Sequence, residues 1–416
     1  MMIGPTPAIH GLEGGPLRLI GTGAILGSLG FTRASSAWAA SADGTGWRTV
    51  APDVPRFSDA ARRLLVEGQR TNLVTHASSV GREGWSSSGL TTDMLTTGPD
   101  GIAGSASVLL ERTTSGTHFT SGPNVSVTSG QSYTFWAVVS PGTRGCCQLA
   151  AFSAGFGLES YANFSIEPAG LGSAGSSVTG SLMTSLGGGW WLIQMTAPAI
   201  ATASTGYGFY LAPRPASGRA PSYQGSSQSV IVWACGIEQA SFASSPIRPP
   251  AGTSAITTRA ADVPSFHLPL AYRLRGTVAG TFVLTRVETA NHDLGLLALD
   301  DHSAANRVSI LCPRGESTLR AGVTQGGSAM PGWVSAGSLT AGVPMRVALA
   351  WDEAGFTLAV NGASTTHAGP MPISISRLLL GHASADLTQA MFGEIGPLDL
   401  HSRRLPDDAL RALTAS

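Results

Sequence analysis

Charge is what this sequence has least of. Only 12% of its 416 residues are Asp, Glu, Lys or Arg, and 25 acidic residues cancel 25 basic ones. A sequence-independent nucleic-acid binder needs a cationic surplus to displace counterions, so that class is excluded. Glu and Lys, the usual surface residues of helices, are scarce, whereas Gly (53 residues), Ser, Thr and Ala fill the chain. That balance predicts short strands joined by tight turns. With 43% hydrophobic residues there is material for a core, which argues against disorder.

Cysteine is equally sparse. Cys146 and Cys147 are adjacent, so on a strand they point to opposite faces, and Cys235 and Cys312 lie far off in apolar runs. The four read as small buried hydrophobes, and no CxxC or Cys/His spacing points to structural zinc. Long apolar runs are missing too. "LIGTGAILGSLGF" after Arg18 has 13 residues with four glycines, and Arg33 interrupts before the leader-like Ala37-Trp38-Ala39. This argues against an export leader, and a membrane span needs roughly 18–20 apolar residues, so no membrane insertion is expected.

Motifs for chemistry are absent as well: there is no GxSxG, GxxxxGK[ST] or HExxH. In "GEIGPLDL", Glu394 and Asp399 are five positions apart, on opposite faces of a regular strand. A retaining glycosidase needs its carboxyl groups about 5 Å apart. No catalytic residue is assigned and no cofactor is required. The one candidate metal site is "NHDLGLLALDDHS", where His292, Asp293, Asp300, Asp301 and His302 bracket a short strand. Calcium in an end loop is the metal that oxygen ligands there would suit; two polar turns around a buried strand is the plainer reading.

What is present is strand after strand. Residues 1–30 are Gly- and Pro-rich without periodicity and read as an arm. "QSYTFWAVVS" sets Tyr133, Phe135 and Ala137 against Thr134, Trp136 and Val138, both faces fairly apolar, which suits a strand covered on two sides. "GGGWWLIQM" places Trp190 and Trp191 on opposite faces, and "SVIVWACGIEQASF" reads as a central strand. Three prolines within Pro246–Pro250 end that sheet, since proline donates no ladder hydrogen bond. "PMRVALAWDEAGFTLAVNGAS" is the clearest hairpin, turning at Asp352–Gly355 and again at Asn361-Gly362. In "RRLPDDALRALTAS", Pro406 fits a first helical position, Asp407 and Asp408 favour the N-terminal dipole, and Leu410 and Leu413 repeat at helical spacing. The fold class is all-β: two antiparallel β-sandwich (jelly-roll) domains after an extended N-terminal arm, with a short C-terminal helix. The expected boundaries are 1–74, 75–262 and 263–416.

Aromatic rings beside glycines are candidate sugar platforms, because a flat ring packs against the apolar face of a pyranose. Tyr207, Phe209 and Tyr210 in "TGYGFYLAP" and Trp333 in "MPGWVSAG" qualify; His118 and Phe119 are weaker. Core packing is the competing reading for each.

Charges gather beside an apolar strip in "RLLVEGQRTNLV" (Arg63–Val74), part of "FTRASSAWAASADGTGWRTVAPDVPRFSDAARRLLVEGQRTNLV". Phe31-Thr32-Arg33-Ala34-Ser35, Asp43-Gly44, Pro55-Arg56-Phe57 and Leu64–Leu73 resemble the lead-in of tailed-phage and gene-transfer-agent head spike and tail fibre proteins. Trp85 follows at the spacing of that family, and Arg259-Ala260-Ala261-Asp262 resembles its exit segment. Here "GIEQASF" departs from the usual order and the Ser58–Arg63 spacer is short. In several such proteins a concanavalin A-like (LamG-like) jelly roll follows, and 264–416 resembles one. The resemblance implies a non-enzymatic subunit at the surface of a virion or phage-like particle, made in the bacterial cytoplasm and binding bacterial surface polysaccharide (capsule) for host attachment. Its partners would be that polysaccharide, other particle structural proteins and further copies of itself as a homo-oligomer, with no nucleic acid. A structural decoration or connector without glycan binding is the alternative, and a glycan-processing enzyme a weaker one. In physical terms the charged stretch is a clasp of Arg56, Glu67, Arg70 and Asn72. Leu64, Val66 and Leu73 bury, Glu67 pairs with Arg70 or Arg56, and Asn72 satisfies backbone groups at the turn.

Overall fold

The computed structural model describes residues 15–41, 46–58, 61–250, 253–287, 292–372 and 374–415. Residues 1–14 of the expected arm and the Asp43-Gly44 turn lie outside them. The chain is 51% strand and 4% helix, which establishes the all-β class. It divides into two compact units. Unit 1 comprises Met1–Ala34, Asp53–Gly68 and Ala261–Ser416; unit 2 comprises Ser35–Pro52 and Gln69–Ala260.

Unit 1 contains two antiparallel sheets. In one, Phe392–His401 lies between Leu17–Gly21 and Gly276–Leu284, and Met345–Asp352, Gly355–Val360 and Ala363–Ala368 continue the sheet. In the other, Leu294–Asp300 lies between Arg377–Leu380 and Arg307–Cys312. The hairpin read from the sequence is there, with Val347 opposite Val360 and Asp352 opposite Gly355. The helix Asp407–Thr414 lays Leu410 on Ala348, Ala350 and Ala359. Pro406 caps it from just outside, one place earlier than expected, and Leu413 stays exposed.

Unit 2 is a sandwich. One sheet runs Ala106–Glu111, Ser229–Glu238, Ser132–Pro141, Trp190–Pro198, Gly180–Gly187; the other centres on Cys146–Ala151 and Tyr207–Leu211. Alternation decides both layers of packing. Tyr133, Phe135 and Ala137 enter the main core, while Trp136 and Val138 join Trp190 and Trp233 in a second cluster on the outer side. Trp191 packs on the opposite side from Trp190, as its spacing requires.

Between residues 15 and 74 the described strands of the lead-in are paired within the two units. Leu17–Gly21 and Leu64–Glu67 both pair with Phe392–His401, and Gly30–Thr32 pairs with Val263–His267, all within unit 1. The hairpin of Ala37–Ala40 and Trp47–Val50 and the strand Arg70–Asn72 belong to unit 2. These strands have three to five residues, too few to show alternation against a Gly-rich background.

The charged motif residues form two clasps, one per unit. In unit 1, Arg33 Nη1 donates to Asp262 (3.0 Å), and Arg56 Nη2 donates to both Asp262 (2.5 Å) and Glu67 (2.9 Å). Backbone Glu67 N–H donates to Asp262 at 3.0 Å. Two guanidinium groups and two carboxylates thus neutralise one another in the interior, where each charge alone would be strongly unfavourable. In unit 2, Arg70 faces Glu238 at 3.7 Å, while the Glu67 carboxylate is held by Arg56 in unit 1. The boundary between the units falls between Gly68 and Gln69. Asn72 donates to the carbonyls of Cys235 and Ile247 and accepts from Val74 and Ile237 N–H, the backbone role expected of it. Burial pushes the Glu238 carboxyl up to about 7 despite Arg70 and Arg259 nearby.

Candidate functional site

In unit 2 a cleft of about 540 Å³ opens among four short segments. Its size falls within the usual range for small-molecule sites. The first wall is the turn-rich segment from His76 to Trp85, carrying Ser78, Ser79, Arg82 and Glu83. The Trp85 indole fastens this segment, donating to the His76 carbonyl at 3.0 Å, with its ring edge-on to Tyr207 (6.2 Å, 79°). The second wall is the hairpin that presents Trp38 and Thr49, preceded by Ser36. The third is the turn Asp100–Ser105, and the fourth is Arg248 and Pro250 from the proline-rich exit stretch.

The framework of the cleft is self-satisfied. Trp38 stands edge-on to the buried Trp233 at 4.7 Å and donates to the Arg248 carbonyl. Arg248 lies over the Trp233 ring at 4.8 Å and donates to the carbonyls of Trp233 and Ser105. Burial lowers its pKa below the ordinary arginine value and Asp100 opposes the shift. Asp100 accepts from Trp233 Nε1, Ser105 Oγ and Ile102 N–H. With both carboxylate oxygens taken by protein donors, Asp100 is a brace for the wall and not a poised acid or nucleophile. Three groups remain unanswered. Ser78 Oγ and Arg82 Nε are buried with no hydrogen-bond partner, and Glu83 is exposed on the rim. The cleft therefore offers hydroxyls, a guanidinium, a carboxylate and a tryptophan, without a catalytic pair.

The residues singled out from the sequence fall elsewhere. Alternation along Tyr207–Leu211 turns Tyr207 and Phe209 into the core and Tyr210 outward. Tyr207 is 0% exposed, so it is no sugar platform; it is the floor beneath Trp85. Tyr210 lies on the outer sheet face, stacked on Phe119 (4.9 Å, 20°), but is only 7% exposed. Its ring lies flat over Gly208, where a Cβ would come within 2.4 Å of it. The segment 213–221 covers the neighbouring residues of that face, Gly218 O and Ser217 O accepting from Gln148 and Asn163. His118 is buried between the carbonyls of Gly89 and Tyr223. Trp333, in unit 1, is half-buried over Gly322 and is the one of the four named platforms with appreciable exposed surface.

The five residues considered for calcium are not gathered. Asp293 accepts from Arg314 N–H and Gln389, Asp300 holds Arg377 through two 2.8 Å bonds, and Asp301 accepts from Ser303, Asn306 and Ser374. Among the described residues no group of three His, Cys, Asp or Glu could hold a metal. Glu394 and Asp399 are each paired, with Arg63 and Arg18. The cysteines are free, three buried and Cys146 half-buried; burial pushes the Cys235 thiol up to about 12.

No protein-family model matches this chain, and no curated protein does. Among solved structures, a heptameric SAP-like pentraxin from Limulus polyphemus is similar at 14% identity, with a TM-score of 0.27, over 33% of this chain and 68% of its own. The CBM40 of Ruminococcus gnavus IT-sialidase is similar at 17% identity, with a TM-score of 0.29, over 36% of this chain and 96% of its own. At these scores neither likeness bears on function.

Proposed function

We propose that this chain is a non-enzymatic subunit of a phage-like particle, a head spike or tail fibre, that binds bacterial surface polysaccharide for host attachment. The observation that carries the binding half is the unit 2 cleft, where hydroxyl, charged and indole groups line an open site whose buried carboxylate is fully engaged. Sugar recognition uses this mixture: polar groups meet ring hydroxyls while an aromatic surface packs against C–H faces. The particle half rests on the sequence resemblance of the Phe31–Val74 lead-in and the Arg259–Asp262 exit segment. Both clasps support it indirectly, since they give the motif residues a structural task. Repeated copies on a particle would convert a shallow, weak site into firm attachment through effective concentration.

The test is co-sedimentation of the purified chain with encapsulated cells and with acapsular mutants of the same strain, alongside assay of released sugars. Binding confined to encapsulated cells with no sugar released is the expected result. Equal binding to both would leave a decoration or connector role, and reducing-end release would make the protein an enzyme.

A further inference from the structure

The arginines of the two units are mostly answered by carboxylates. Arg144 meets Glu111, Arg248 lies by Asp100, Arg377 meets Asp300 and Arg404 meets Asp352. Arg82, on the cleft wall, makes no side-chain hydrogen bond or ion pair with any described residue. Its Nε is shut away from water, so its remaining nitrogens are its outlet for hydrogen bonding. Four positions earlier in the same wall, Ser78 Oγ is likewise buried and unpartnered, in a residue only 4% exposed. A donor without an acceptor is costly when desolvated, and the remaining Arg82 nitrogens, with no acceptor among the described residues, are answered by a ligand that accepts in the cleft. A planar guanidinium binds a carboxylate through two parallel N–H···O bonds, a geometry that a sugar hydroxyl does not match.

We infer that the cleft takes a saccharide carrying a carboxylate, with Arg82 receiving the carboxylate and Ser79 and Thr49 meeting neighbouring ring hydroxyls. This deepens the glycan-binding reading above and rests on it. Glu83 sits on the same rim with opposite sign, so it selects against excess negative charge and tempers affinity for the acid.

The experiment uses the full chain and one uronic-acid-containing capsular polysaccharide in two forms, native and carboxyl-reduced, so that only the charged group changes. Surface plasmon resonance should show the native form bound about 10- to 100-fold more tightly, the worth of a hydrogen bond to a charged partner. R82A should abolish that preference, R82K should keep part of it, and E83Q should strengthen binding to the native form a few-fold. Thermal melting checks that the variants fold, which their lack of partners makes the expected result. Equal binding of the two forms by the wild type, or an unchanged preference in R82A, overturns the inference while polysaccharide binding stands. Displacement by inorganic phosphate but not by free glucuronate overturns it in favour of a simple anion site. If neither form binds, the glycan-binding reading fails and takes this inference with it.

Discussion

Replacing Asp262 by Asn tests the clasp of unit 1 with little change in shape. In the native protein Asp262 is 0% exposed and receives Arg33, Arg56 and the Glu67 backbone N–H. The amide keeps one acceptor oxygen but presents an NH₂ group to a guanidinium donor. The buried cluster moves from neutral to a net charge of one. At an effective dielectric constant of about 20, a unit pair about 4 Å apart is worth about 4 kcal/mol. Breaking buried pairs by removing one partner costs about 3–5 kcal/mol. For a unit of 150–250 residues each kcal/mol shifts Tm by about 2–4 °C, so a fall of about 6–20 °C is expected. Calorimetry gives the shift, and hydrogen exchange on the strands Leu64–Glu67 and Val263–His267 assigns it to unit 1. Adding R33M to D262N restores neutrality and should recover part of the loss. If D262N melts with the wild type and those strands stay equally protected, the charges are not buried together and the reasoning is wrong.

Tyr207→Ala should cost about 3–5 kcal/mol by leaving a cavity in the unit 2 core, read as a lowered denaturant midpoint; a stable protein with reduced adsorption would restore Tyr207 as a surface contact. Trp85→Phe removes the hydrogen bond to the His76 carbonyl, costing about 1 kcal/mol, and should weaken polysaccharide binding more than the melting point implies. Glu238, raised to about 7, binds its proton more tightly in the folded state. Its contribution is therefore present at and below pH 4.5 and is lost as pH rises through 7, by about 3 kcal/mol in all. E238Q should flatten that slope in denaturation curves taken between pH 4.5 and 8. Glu111 goes the other way: burial pushes it up, but Arg144, Ser226 and Tyr223 outweigh burial and hold it at about 2. Its contribution is present above pH 4.5 and falls away toward pH 2, a loss that E111Q should not show.

The class of fold was legible because long strands carry their own evidence. Ser132–Pro141 and Met345–Val360 alternate over enough residues to fix faces and a turn. The lead-in was legible as a motif but not as structure, since Arg33, Arg56, Glu67 and Asp262 are brought together only by strand pairing across distant sequence. Alternation along Tyr207–Leu211 could have separated Tyr207 from Tyr210, had one inward residue been fixed. The cleft was not read at all. Trp38 sat inside a leader-like tripeptide, and Arg248 looked like part of a linker. The one local signal was "GREG" at Gly81–Gly84, an adjacent Arg-Glu pair between turn glycines in a chain poor in charge.

The chain passes between the two units after residues 34, 52, 68 and 260. Neither unit is thus one uninterrupted stretch of gene. A recombination event with a single breakpoint would separate Phe392–His401 from strands encoded more than 300 residues earlier, or sever a clasp. Exchanging a whole unit requires a donor that already matches at those seams. Substitutions that leave the strand pairings of both units in place are free of that constraint.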